Sequence, residues 1–513
     1  MSLTVETAAE PAVREDDPRH SWAAVFALAR FEARDLLRYI PVLVTLALYI
    51  GYTAWTLFHE SDGMDAFPAL QNVDRATQAG PLLLGIALFV CVNRCALRSR
   101  RRGTDRQFDV LVMEPWRRTV AHVLSVVPFA LVTALVVLGE FTRQALRAGA
   151  VGHGSPAELA VAPLFVLLCG ACGVLLARLV PTTFAAPLAV IGLFVFGVFI
   201  SAGTNDAEWS RWLGPIVSEN SNEALPSDLI GRPAAWHALY LTGLVLLLAL
   251  CAVLASGGRT RVLQAGAAGA VALTLAGAVG QSGGVPASLT AARERVSVTP
   301  QKDQTCAKRG SSTYCAFPEW TGRAGTWAGV VDRVQGLAGG TAATRPLLVR
   351  QRIDARYGLT GDASIEPLTT PNQVTVGTRW GGNRVPEFAV AVAYVLVAGD
   401  ESKGSELCDG RVVTAMWLAL GQDPDPMADF ANVRLGDNVT GSSIVLAPTS
   451  GLSMSAAQTD VVRELLTRPR AQATAAVKSH WGELTASGVT TAQVAKTLGV
   501  EVPKGAKDCE DEE

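Results

Sequence analysis

Thiols and guanidiniums carry the chemistry that this sequence offers. Its nine cysteines divide by position: Cys91, Cys95, Cys169, Cys172 and Cys251 lie in apolar stretches, whereas Cys306, Cys315, Cys408 and Cys509 lie in the polar second half. A small, soft side chain packs well among apolar neighbours, so the first five are read as packing residues rather than metal ligands. The other four suffice for two disulfides in an oxidising compartment. Cys306–Cys315 would close a short loop and Cys408–Cys509 would tie the C-terminal tail back, although spacing alone leaves three pairings open.

Conventional catalytic constellations are not read anywhere. There is no GxxxxGK[ST] phosphate loop and no HExxH zinc helix, and no serine-hydrolase elbow is assigned. The second half holds one histidine, His480, which is read as a helix-surface or packing residue. We therefore expect no enzymatic activity, no cofactor and no metal in this chain. A net charge of −2 argues against nucleic acid, which asks for a basic face. TTAQVAKTLGV at 490–500 matches half of a helix-turn-helix, but on the far side of a membrane it would meet no DNA.

The elements behind these residues are mostly apolar helices. A helix needs about 20 apolar residues to cross roughly 30 Å of hydrocarbon. Seven stretches approach that: 40–58, 79–97, 119–141, 160–180, 184–203, 236–255 and 262–280, the second interrupted by Asn93 and Arg94. A PTTFAAP turn at 181–187 should join the fourth and fifth as a hairpin. Residues 1–20 are polar, so the first span itself is expected to direct insertion. Ahead of it, 22–38 reads as an amphipathic helix with Phe26, Ala29, Ala33, Leu36 and Leu37 on one side and Arg30, Arg34 and Arg38 on another, suited to lie along anionic headgroups.

Arginine placement orients these spans. Arg98, Arg100, Arg101, Arg102, Arg106, Arg117 and Arg118 crowd the second connection, Arg259 and Arg261 the sixth, and Arg30, Arg34 and Arg38 the N-terminal segment. The alternate connections hold only Arg75, Arg143, Arg147, Arg211 and Arg232. The positive-inside rule then places the N-terminus in the cytoplasm, and seven crossings send residues 281–513 outside, where disulfides persist. The expected layout is a cytoplasmic tail and interfacial helix (1–39), a polytopic α-helical membrane domain of about seven spans (40–280), a polar linker (281–304) and an extracytoplasmic α+β domain with a helical C-terminal part (305–513). In that last region 326–338 reads as a helix, RPLLVRQRI and QVTVGTRW as strands, and 409–420, 455–468, 470–485 and 491–498 as helices. EFAVAVAYVLV (387–397) fits a buried helix or a strand.

The connection 98–126 is the most informative cytoplasmic element. After the arginine cluster and Gly103, Thr104 or Asp105 can cap a short helix through Phe108, Asp109, Leu111 and Val112, with Met113, Glu114, Pro115 and Trp116 following; Pro115 is expected to end that helix ahead of the third span. Such a segment could dock on a cytosolic partner and pass a push to two spans.

Two segments resemble permeases of the ABC-2 type: RFEARDLLR entering the first span, and DVLVMEPWRRTVAHVLSV with its short helix, proline, basic turn and next span. WSRWLGPIVSEN and LIGRPAAWHALYLTGLVLLL, together with YCAFPEW, CDGRVVTAMWLA and SHWGEL, are similar to large actinobacterial members. The seventh span and the external domain depart from the plain six-span pattern. The resemblance implies a permease subunit of an exporter in a bacterial plasma membrane. It also implies two permease copies, as a homodimer or with a related partner, and a separate ATP-binding subunit that holds ATP and magnesium and meets 22–38 and 104–116. The other reading of the residues is a membrane-anchored extracellular binding or sensory protein.

Overall fold

The computed structural model describes residues 18–59, 68–104, 113–203, 212–217, 224–358, 365–378, 387–433, 443–446, 448–449, 451–502 and 508. The chain is mostly helical. Helix α1 (Pro18–Leu36) is followed by α2 (Ile40–Phe58), a short α3 (Leu70–Ala76), α4 (Leu82–Ala96), α5 (Pro115–Leu124), α6 (Val127–Ala145), α7 (Pro156–Leu179), α8 (Ala185–Gly203), α9 (Ala234–Ala255) and α10 (Arg261–Gln281).

Every apolar stretch of the first half is helical, and five helices are long and apolar enough to cross a membrane, with α5 and α6 counted as one. Of the other two, α4 is too short. Helix α4 has 15 residues, roughly 22 Å of rise, because Pro81 begins it and Gly80 is wedged against the Tyr49 ring. Helix α8 runs 19 residues, Ala185–Gly203, and its side chains are described as far as Val195. The third expected span also differs: it starts at Pro115 and breaks at Ser125–Val126, where Pro128 cannot continue the hydrogen-bond ladder from the preceding turn.

Glycines set the closest helix contacts. A Cβ on Gly173 of α7 would lie 2.5 Å from the Phe89 carbonyl oxygen of α4, and one on Gly277 of α10 would lie 2.4 Å from the Tyr240 nitrogen of α9. Backbones approach this closely only where a side chain is missing, which suits helices packing without a hydrophobic drive from water. Leu84, Leu88, Phe129, Val166 and Val174 fill the centre of the bundle.

The two ends of the bundle differ. At one end lie α1, the Arg98–Arg102 turn and the 256–260 connection, held by Arg98 to Glu32 at 3.0 Å and Thr119 Oγ1 to Ser256 Oγ at 2.7 Å. At the other lie α3, the 149–156 connection and the start of α9, tied by Leu70 N to Val151 O at 2.9 Å and Ser155 N to Asp74 Oδ2 at 2.8 Å. The arginine-rich connections therefore share one end, and the chain leaves for its second half from the opposite end.

Within the expected linker, Ala287–Val298 forms a further helix, α11. Beyond it, a four-stranded sheet runs in the order β1 (Thr305–Arg309), β2 (Ser312–Ala316), β3 (Leu348–Gln351), β4 (Gln373–Val376). β1 and β2 form an antiparallel hairpin, whereas β2–β3 and β3–β4 are parallel. Parallel neighbours need a crossover, and α12 (Ala324–Leu337) supplies the first. EFAVAVAYVLV settles as helix α13 (Glu387–Ala398), with all of 388–397 buried; a helix buried on every side shows no apolar stripe, so periodicity could not tell it from a strand. α14 (Arg411–Gly421) is buried from Val412 onward, and Trp320, Trp327 and Trp417 complete the core. The helical end comprises α15 (Ala456–Thr467), α16 (Arg470–Ser479) and α17 (Thr491–Thr497), the first and last each opened by a capping box. This half is α+β with a helical C-terminal part.

Candidate functional site

Two charged joints, one at each end of the bundle, take side chains of opposite sign out of water together. The first is built on α1. Val25, Ala29, Ala33 and Leu36 face the protein, and Arg30, Arg34 and Arg38 are exposed, as the fourfold spacing implies. Phe26 and Leu37 do not share the buried side. At 100° per residue they fall with Arg30 and Arg34, and both are exposed. Glu32 takes the buried place instead. Arg98, just past the end of α4, reaches Glu32 Oε2 at 3.0 Å and Asp35 Oδ2 at 2.7 Å, pinning α1 to α4. Burial pushes the Glu32 carboxyl above its usual range, Arg98 pulls it down and Asp35 pushes it up again. Glu32, Asp35 and Cys95 bring three potential ligand atoms within 4.8 Å of one another, but both carboxylates are already engaged by a guanidinium, so the group is an ion-pair cluster.

Of the expected coupling segment, Phe108, Asp109 and Leu111 lie outside the described residues. Glu114 is extended, and Pro115 occupies the first turn of α5. Pro115 thus starts α5 and with it the third expected span, where a missing N–H costs nothing, four residues earlier than expected. Trp116 meets Trp22 of α1 edge to face at 6.2 Å, with the Arg117 guanidinium 5.3 Å over its ring, and Arg117 pairs with Glu114 at 3.1 Å. Val25, Ala29 and Ala121 bury a small apolar cluster between α1 and α5. The surface helix and the foot of the third span are therefore one packed unit.

The second joint was not singled out from the sequence. Arg75 of α3 meets Glu158, in the first turn of α7, at 3.1 Å; Arg232 lies 3.6 Å from Asp74. Gln78 donates to Glu158, and Arg75 also lies 5.0 Å from the centre of the Trp212 ring. His237 on α9 and Gln281 on α10 form a hydrogen bond at 3.1 Å. In the sequence these residues are sparse charges in short connections; an acid two residues after the helix-opening Pro156 is the one local hint.

Burial, reinforced by the neighbouring Glu158 charge, raises Asp74 from its ordinary value to about 6, while the Ser155 N–H and Arg232 oppose the shift. Over the interval from about pH 4 to about pH 6 the folded chain keeps a proton that the unfolded chain has released, so this group's contribution to stability falls as pH rises and is level above that. In Asp74→Asn that slope should vanish. Thermal unfolding of both proteins across the interval tests this; parallel curves would show that Asp74 ionises normally.

The second half docks on this joint. Arg293 of α11 donates to Leu229 O at 2.8 Å and Ile230 O at 2.7 Å, Glu319 accepts from the Ser227 N–H at 3.1 and 3.2 Å, and Arg323 donates to Gly149 O. Val151, Leu225, Leu229 and Ile230 from the bundle's connections belong to the same apolar core as Trp320 and Trp327. The two halves form a continuous body here.

Cys306 and Cys315 are disulfide-bonded across the β1–β2 hairpin. Cys408 is also in a disulfide; Cys509 lies outside the described residues. Gln458 Nε2 donates to Cys408 O at 2.8 Å and to Asp508 O at 3.4 Å, which sets the residue before Cys509 beside Cys408. The five remaining cysteines are free. His480 is partly exposed and lies 3.4 Å from Glu483. GQSGG at 280–284 satisfies the GxSxG spacing of a serine-hydrolase elbow. Ser282, however, caps the C-terminal end of α10 and donates to Val279 O at 2.9 Å, whereas a nucleophile elbow follows a strand and opens a helix.

No family model, no curated protein and no solved structure matches this chain.

Proposed function

We propose that the chain is the membrane-spanning subunit of an ATP-driven exporter, with ATP and magnesium held by a separate ATP-binding subunit and a second permease copy completing the pathway. The observation that carries the reading is the packed unit of α1 and the Pro115 foot, bonded through Arg98 to α4. A cytosolic ATPase closing on the 104–116 segment would move α1, the third span and α4 together. The far joint, where Arg75 and Glu158 link α3 to α7 beneath the second half, would receive that movement. Transport is then an equilibrium between inward- and outward-open states that ATP binding shifts.

The segment resembling ABC-2 coupling elements supports the choice of partner. Changing Leu111 or Phe108 to aspartate is expected to abolish co-purification with the ATP-binding subunit while leaving membrane insertion intact. If assembly survives both changes, the coupling assignment fails.

Sidedness belongs to the same proposal: the arginine-rich end in the cytoplasm, the cysteine-bearing half outside. Cys306 sits on the exposed strand β1. After reduction it should react with an impermeant thiol reagent added to intact cells. Protection until lysis would reverse the orientation.

A further inference from the structure

Between α1 and the neighbouring helices lies an open groove of about 440 Å³, walled by Phe26 and Leu37 of α1, Leu46 of α2 and Phe129 of α6, with Arg30 and Arg34 also lining it. Its other lining is apolar, and Leu46 and Phe129 belong to helices of membrane-crossing length and composition, so with the bundle in a bilayer it would open towards hydrocarbon rather than water. Arg30 and Arg34 stand one helical turn apart, so their side chains are neighbours on a single face. Neither forms an ion pair with any described residue, although Glu32 and Asp35 on the same helix are both engaged by Arg98. Two uncompensated guanidiniums above an apolar trough match one ligand chemistry: an anionic head joined to an aliphatic chain.

We propose that this groove holds one anionic phospholipid, its phosphate between Arg30 and Arg34 and one acyl chain along Phe26, Leu37, Leu46 and Phe129. The bound lipid acts as a filler between α1 and the spans, so the membrane's charge composition sets how firmly the surface helix sits. The proposal rests on the bundle lying in a bilayer and not on transport.

The full chain, placed in nanodiscs of equal phosphatidylglycerol and phosphatidylcholine and released into mild detergent, is read by native mass spectrometry. One phosphatidylglycerol per chain should remain bound and phosphatidylcholine should not. Arg34→Gln should lower the retained fraction about fivefold, the worth of one cation beside an anionic lipid. Arg38→Gln removes the same charge from outside the groove and should leave retention unchanged. Equal losses in the two variants would mean only diffuse attraction and overturn the site. So would equal retention of both lipids, or a photo-crosslinker at Leu37 that captures a polypeptide instead of lipid.

Discussion

Replacing Glu401 by alanine is expected to cost about 3–5 kcal/mol of stability in the second half of the chain, the range for removing one partner from a buried charge pair. The Glu401 side chain is fully buried. It accepts from the Leu368 N–H at 3.1 Å, from Thr375 Oγ1 at 3.0 Å and from the Thr375 N–H, with the Arg352 guanidinium 3.8 Å away. One carboxylate thus ties the 365–368 segment, strand β4 and β3's neighbour Arg352 to the helix turn at 401–405. Alanine leaves two backbone donors facing a dry cavity, and unmade bonds there cost more than made ones contribute. Glu401→Gln keeps one acceptor oxygen and the shape, so its loss should be clearly smaller. Thermal unfolding of the full chain followed by tryptophan fluorescence reports this directly, because Trp320, Trp327 and Trp417 lie in that core. A loss below about 1 kcal/mol for the alanine variant would show that water enters and satisfies those donors.

Glu158→Ala should be comparably severe, about 3–5 kcal/mol, and its effect should appear at the junction between the halves. Glu158 is the acid facing Arg75 and Gln78, with side-chain exposures of 2% for Glu158 and 9% for Arg75. Its removal leaves Asp74 as the remaining carboxylate among Arg75 and Arg232, in a place where water cannot compensate the charge. Because α3 is bonded to the 149–156 connection and that connection to Arg323, loosening α7's first turn should expose the junction to protease. The paired change Arg75→Met with Glu158→Leu, which removes both charges at similar volume, should recover most of the loss. If the double variant is instead as unstable as the two single losses added, the pair does not interact, and the joint is held by packing alone.

Much of the layout was legible in the sequence for local reasons. A run of about 20 apolar residues is a signal carried by its own residues, and each of the seven runs is helical in the structure. The strands at 348–351 and 373–376, and the C-terminal helices, followed from short patterns and caps in the same way. Residues separated by a hairpin turn are also nearly local, so the Cys306–Cys315 bridge was within reach. Span length was harder: Pro81 and Pro128 decide where helices α4 and α6 begin, and hydropathy does not register a missing N–H.

What the sequence by itself determined, then, is where the chain becomes helical and apolar, and which connections carry arginine. Only the tertiary structure decided which arginines meet acids. Arg98 finds Glu32 and Asp35 more than sixty residues away, while Arg30 and Arg34, on the same helix as those acids, are left facing an open groove. It alone joined Arg75 to Glu158 and merged the connections at 151 and 225–230 into the core of the second half. The physical reason is that apolarity and periodicity are properties of a segment, whereas a buried ion pair is a property of two segments brought together by packing, and it leaves no period in either of them.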